Sequence, residues 1–169
     1  SIFPYLIGQY QATAAAPSAS DTGNSFVRTS SAGLRPLSTA VADGEYTFEV
    51  AGYNGLGDAT SNNLRFTTSG TVAAASAGTK TINALAIDST AGAVTLTGPG
   101  TDTLALTSGA LLSTGAAVNN TTLTGFAGVT TATNNEYVVF VNNNQFTLGS
   151  PLTTATASLT KSGAGALIM

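Results

Sequence analysis

The sequence predicts an all-β chain built as a solenoid, and three observations predict it. Apolar residues recur at every second position in short runs, each followed by Gly, Asn, Asp or Ser, which is the pattern of strands ended by turns. The runs return at intervals of roughly ten residues and are joined by Gly-rich corners. No Asn-Gly or Asp-Gly pair sits squarely between two matched strands, apart from Asp43-Gly44 ahead of Glu45-Tyr-Thr-Phe48. Hydrophobic residues make up 43% of the 169-residue chain, but Ala is the commonest of them and aromatics reach only 7%. Such side chains suit a narrow core between stacked thin coils better than the wide core of a globule.

Charged residues are 8% of the chain, against roughly 25% in ordinary soluble domains. The surface is therefore polar through Thr, Ser, Asn and Gln. Thr is β-branched and fits a pleated surface, and Asn fits turns. Helix signals are poor, because Ala is interleaved with Thr, Ser and Gly rather than with Leu, Glu, Lys and Arg.

In order along the chain, residues 1–60 read as an irregular N-terminal or capping segment with one or two strands. It holds Ile2-Phe-Pro-Tyr-Leu-Ile7, a low-complexity stretch from Gln11 to Ser20, Phe26-Val-Arg28 and Gly33-Leu-Arg-Pro-Leu37. An alternating strand, Tyr46-Thr-Phe-Glu-Val50, and a Gly-rich turn, Gly52 to Gly57, close it. Residues 61–169 read as the β-helix repeat region. Its runs are Leu64 with Phe66, Ile82 with Ala84, Leu85 with Ile87, Val94 with Leu96, and Leu104 with Leu106. Leu111-Leu112, Thr122 to Thr124, Tyr137 to Val141, Phe146 with Leu148, and Leu167 to Met169 complete them. Three strands per coil give about 20 to 30 residues per turn.

The end of the chain carries the most specific pattern: Leu159, Lys161, Gly163, Gly165 and Leu167 within Ser158-Leu-Thr-Lys-Ser-Gly-Ala-Gly-Ala-Leu167. Leu159 and Leu167 are placed to point into a coil core. Gly163 and Gly165 let the backbone turn where a side chain would clash or φ must be positive. Lys161 is expected outward, where its charge discourages edge pairing. This spacing resembles the autotransporter-associated β-strand repeat, Leu-Thr-Lys-x-Gly-x-Gly-x-Leu, and departs from it at Ala166. The ordered series from about Asn63 to Met169 is similar to passenger regions of such proteins, and Leu34-Arg-Pro-Leu37 resembles a segment that precedes them. The resemblance implies a right-handed parallel β-helix, export to the surface of a bacterium or secretion, and an adhesive or structural role. With no initiator Met, the chain is expected to be an excerpt of a longer precursor.

Candidate chemistry is sparse. With no His and no Cys, triads, Cys–His pairs and His-ligated metals have no residues to use. Glu45 and Glu49 share one face of a strand, opposite Tyr46, Phe48 and Val50, and read as a solvated face with no evident Lys or Arg partner. Asp88 and Asp102 read as turn residues after strands. Together with Asp58 they lack the close spacing of a calcium site. Gly52-x-x-Gly55-x-Gly57 lacks the order of a phosphate-binding loop. The Asn runs at 134–135 and 142–144 fit either stacked ladders or ordinary turns.

The expectation is a non-catalytic structural or adhesive protein with no cofactor. Its partners would be itself or a host or surface glycan or protein. Five scattered Lys and Arg make no nucleic-acid footprint, and no apolar run reaches the ~18 residues of a membrane helix. Ser1 to Ile7 lacks the basic flank of a signal peptide. Its apolar residues Ile2, Phe3, Tyr5, Leu6 and Ile7 are instead the candidate assembly contact, an added strand on a neighbour's edge in a filament. Two alternatives remain: a carbohydrate-active enzyme on the same fold, which needs converging carboxylates, and an antiparallel immunoglobulin-like adhesin, which needs interleaved hairpins.

Overall fold

The computed structural model describes residues 2–8, 10, 24–31, 33–49, 59–71, 78–131 and 136–169. It is a parallel β-solenoid of about four turns, with a small antiparallel sheet laid on its flank. That sheet consists of β1 (Ile2–Gly8), β2 (Ser25–Ser30) and β3 (Gly33–Pro36), in the order β1-β2-β3. A 3-10 turn, Val41–Asp43, ends at Gly44 in the left-handed region and leads into the coils.

Each coil has three sides. On the first side, Thr79 to Ile82 of β7 (Thr79–Ser89) pairs with Thr103 to Leu106 of β9 (Thr103–Gly115). Those residues of β9 pair in turn with β11 (Gly128–Thr131). The second side is the longest ladder. It runs through β4 (Thr47–Glu49), β5 (Ala59–Phe66), the second halves of β7 and β9, then β12 (Glu136–Val141) and β14 (Ser158–Ser162). On the third side lie β6 (Gly70–Thr71), β8 (Val94–Thr97), β10 (Asn120–Thr124), β13 (Gln145–Leu148) and β15 (Ala166–Ile168). β7 and β9 each bend across the corner between the first and second sides, where the register slips between Ile82 and Ala84.

The bore is filled by every second residue, as the period-2 pattern requires. Leu64, Leu85, Leu111 and Val139 stack in register on the second side. Val94, Thr121 and Phe146 stack on the third, with Leu96, Leu123 and Leu148 beside them. These residues, apart from Thr121, form one core together with Phe66, Ile82, Ile87, Leu104, Leu106, Phe126, Val129, Tyr137 and Val141. The bore is not wholly apolar. Ser113 and Thr121 hydrogen-bond across it, and Ser113 Oγ donates to Asn143 Oδ1 at 2.6 Å.

Three features of the fold differ from the sequence reading. Parallel pairing begins at Thr47, where β4 aligns with Leu64 to Phe66, rather than at residue 61. Residues 25–36 form a hairpin, closed where Ser30 pairs with Gly33 and Ser30 Oγ donates to the Gly33 carbonyl at 2.9 Å. Its turn carries no Asn-Gly or Asp-Gly signal, which is why the segment read as irregular. Asp88 lies inside β7 rather than in a turn. It accepts from Arg65 at 2.7 Å, while its other oxygen holds the Thr90 backbone N–H at 2.9 Å.

Candidate interaction surface

The outward residues of the three sides differ in kind. On the third side, Thr95, Thr122 and Thr147 align in register and Thr97 aligns with Thr124, so this face is a threonine ladder. On the second side, Ala84, Ala110 and Val138 form one outward column, and Ala86, Leu112 and Phe140 form the next. All six are buried, although they point away from the bore. They form a second apolar cluster with Phe26, Leu37 and Tyr46, with Ile2 and Ile7 packed against it. The N-terminal sheet thus lies as a flap along the flank of the solenoid.

Polar contacts fix the flap at its base. Arg65 is outward and sits beside Ala86 in register. Its guanidinium donates to the Asn24 carbonyl at 2.9 Å and to Asp88 at 2.7 Å, and lies 5.4 Å from the centre of the Tyr46 ring. The Tyr46 hydroxyl accepts the Phe26 N–H at 3.0 Å and hydrogen-bonds Ser25 Oγ at 2.9 Å. Burial raises the Tyr46 pKa above its ordinary value, so its hydroxyl stays neutral. Glu45 pairs with Arg28 at 3.1 Å and with both ends of the Arg35 guanidinium, and accepts the Ser38 N–H at 2.6 Å. The Arg35 hydrogen bond, more than any other cause, lowers the Glu45 carboxyl to about 2. Glu45 is therefore an ion-pair hub and not a solvated strand face. Its partners are 17 and 10 residues away along the chain and reach it only through the hairpin. The Glu49 side chain, Gly52 to Gly57, Asp58 and Asn134-Asn135 lie outside the described residues.

The candidate assembly contact folds back on its own chain. Ile2 and Ile7 are half-buried against the flank, while Phe3, Tyr5 and Leu6 are 39%, 52% and 42% exposed. The Tyr5 hydroxyl donates to Glu136 at the start of β12, and Thr160 Oγ1 of β14 donates to the other Glu136 oxygen at 2.6 Å. These two donors, Thr160 first, lower the Glu136 pKa, and the Glu136 bond raises that of Tyr5.

The C-terminal motif forms the last coil. Leu159 aligns with Tyr137 and Leu167 with Phe146, both core residues, so both leucines occupy inward rows. Gly163 has φ +82, and a Cβ there would run into the Val141 carbonyl; a Cβ at Gly165 would run into the Asn143 carbonyl. Both glycines are thus required by close stacking on the corner below. Lys161 corrects the expectation of an outward charge. It aligns with Val139 in an inward row, yet its side chain is exposed and its ammonium donates to the Gly163 carbonyl at 2.6 Å. At the same corner Asn144 donates to Asn120 at 2.9 Å, a side-chain ladder. Asn143 is buried and donates to the Asn119 carbonyl and Ser89 Oγ, both at 3.1 Å.

Sequence reasoning missed the flank, yet a signal exists. Ala84-Leu-Ala-Ile87, Ala110-Leu-Leu112 and Tyr137-Val-Val-Phe-Val141 do not alternate, which marks strands covered on both faces. Among the described residues no group of three acidic residues converges on a common point. The basic residues are dispersed: Arg28 and Arg35 meet Glu45, Arg65 meets Asp88, Lys80 is buried in register with Leu104, and Lys161 lies in β14 beside Val139. No helix is long and apolar enough to cross a membrane among the described residues. Comparison with family models, with curated proteins and with solved structures finds no match to this chain.

Proposed function

We propose that this chain is a non-catalytic structural or adhesive rod segment, working at or outside the surface of a bacterium in the manner of an autotransporter passenger region. The observation that carries the reading is the terminal corner. The two motif glycines sit where a parallel coil permits no side chain, and the two motif leucines occupy the bore rows. The composition supports it: a chain with 8% charge, no His and no Cys has little with which to do acid–base or thiolate chemistry. Rigid coils presenting ladders of Thr and Asn suit a scaffold that displays a repetitive surface to a glycan or protein partner. The test is antibody labelling of intact source cells against the threonine ladder of the third side. Labelling before permeabilisation is expected; labelling only after it removes the surface assignment.

A second reading is a subunit of an extracellular filament. It is favoured by the exposed apolar residues Phe3, Tyr5 and Leu6. Electron microscopy of native material separates the two readings, uniform filaments supporting this one and isolated rods the first.

A further inference from the structure

We infer that β1 is a transferable strap: the outer apolar row of the second side is a binding site for the Ile2–Gly8 segment of a second copy of this chain, and copies interlock by exchanging it. The inference rests on the structural-rod reading and supplies its partner. The covered row demands a cover, since Ala110, Leu112, Val138 and Phe140 would otherwise form a flat apolar face on the flank. What covers it is held to its own sheet by an interrupted ladder, clasped at its base where the Asn24 N–H donates to the Gly8 carbonyl at 3.0 Å and the Asn24 side-chain amide bonds both the N–H and the carbonyl of Tyr10. β1 pairs with β2 at Ile2–Arg28 and Phe3–Val27, then at Ile7–Phe26 and Gly8–Ser25. Val27 and Phe26 are consecutive, so residues 4–6 bulge out of the ladder with nothing opposite them.

The bulge is where the unused apolar surface lies. Phe3, Tyr5 and Leu6 project to solvent in the closed arrangement, while Ile2 and Ile7 on either side grip the flank. The complementarity between strap and row is therefore already present within one molecule. A second copy can supply the same two isoleucines and the same Tyr5–Glu136 hydrogen bond without new chemistry, which is the requirement for a domain swap. Reach is sufficient once the Tyr10–Asn24 clasp opens: residues 9–24 connect Gly8 to Ser25, and an extended chain of that length spans about 50 Å. Closure within one chain competes at an effective concentration on the order of 1 mM. Exchange thus belongs to crowded conditions, such as many copies held side by side.

Because the chain has no cysteine of its own, crosslinks report exchange directly. Phe3→Cys is made in one preparation and Val27→Cys in another. These two residues lie directly opposite in antiparallel register, at a separation a disulfide can bridge. The two are mixed near 1 mM, equilibrated, diluted and oxidised. The expected product is a covalent dimer joining residue 3 of one copy to residue 27 of the other, mapped by peptide mass spectrometry and at least fivefold in excess of 3–3 and 27–27 links. Monomers only, or the three links in equal amounts, overturn the proposal. Should Val27→Cys fail to fold, Ile2→Cys with Arg28→Cys tests the neighbouring pair of the same register, with the loss of one flank isoleucine and of the Arg28–Glu45 pair. In the doubly substituted chain, oxidation at high dilution locks the strap in place, and the locked chain is expected to stay monomeric where the reduced one exchanges. Oligomers that persist after locking overturn the strap while leaving the rod reading, which surface labelling tests, intact.

Discussion

The second and third sides of the solenoid share one backbone plan and solve the problem of the outer face in opposite ways. On the third side the outward residues are Thr95, Thr122 and Thr147, and water covers them. On the second side they are Ala, Leu, Val and Phe, and the chain's own N-terminal sheet covers them. The inward rows are alike, chiefly Leu, Val, Ile and Phe, with Ser113 on the second side and Thr121 on the third. The coil therefore determines where side chains point, and the chemistry of the outward row decides whether a side stays bare or acquires a second layer. A parallel strand buried on both faces loses its alternation, and Glu136-Tyr-Val-Val-Phe-Val141 against Gln145-Phe-Thr-Leu148 shows the contrast within one coil.

Placing a charge in each row breaks the comparison most strongly. Leu112 is 1% exposed beneath the flap, so Leu112→Asp strands an unpaired carboxylate and is expected to cost about 3–5 kcal/mol. Thr122→Asp, on the open ladder, is expected to stay within about 0.5 kcal/mol. Urea unfolding followed by far-ultraviolet circular dichroism measures both. Equal losses would mean that the flap contributes nothing to the burial of that row.

Arg65→Ala is the next largest. It removes the guanidinium that joins Asp88, the Asn24 carbonyl and the Tyr46 face, and leaves Asp88 with Thr90 alone. A loss of about 2–3 kcal/mol follows from leaving one partner of a buried pair behind. Adding Asp88→Ala should restore part of it, because the stranded charge is then gone. A thermal melt of the single and double variants decides; a double variant less stable than Arg65→Ala would show that Asp88 has a role beyond the pair.

The flap should also loosen in acid before the coils do. The Glu45 carboxyl is held at about 2 in the folded chain, below its ordinary value of about 4.3. Its contribution is therefore fully present above the ordinary value and is lost as pH falls from there towards 2. The amount is on the order of 1–2 kcal/mol, discounted because its arginine partners are partly exposed. Hydrogen exchange of β2 and β3 across this window should accelerate while that of β9 stays slow. Glu45→Gln should remove the pH dependence, and an unchanged profile in that variant would assign it to another group.

The bore was legible in the sequence because it obeys one local rule. Alternation located Leu64, Ile82, Val94, Leu104 and Phe146, and the glycine spacing located the terminal corner. The flank was not, for two physical reasons. Its outward residues are distinguished from inward ones only by register, and in a run such as Ala110-Leu-Leu112 both look the same. Its polar ties, Arg65 to Asn24 and Glu45 to Arg28 and Arg35, link residues that only the hairpin and the coil bring together. Lys161 failed for a related reason. A lysine in a strand reads as outward, but the register of β14 on β12 sets Lys161 beside Val139 in an inward row, and only the pairing of the two strands fixes that register.

The smallest expected change in stability is also the sharpest use of the comparison. Thr95→Val, Thr122→Val and Thr147→Val together give the third side an apolar column like that of the second, with almost no change in volume. Each residue sits in an established strand where Val is as well suited as Thr, so each substitution should alter stability by no more than about 0.5 kcal/mol. The prediction lies in association. Three valines in register form an uncovered apolar strip with no flap to cover it, and sedimentation velocity should show concentration-dependent self-association that the parent chain lacks at the same dilution. The circular-dichroism spectrum should stay unchanged, since the bore is untouched. A triple variant that remains monomeric would mean that an apolar outer row does not by itself demand a cover. The flap would then owe its position to the Arg65 and Glu45 ties rather than to the row beneath it.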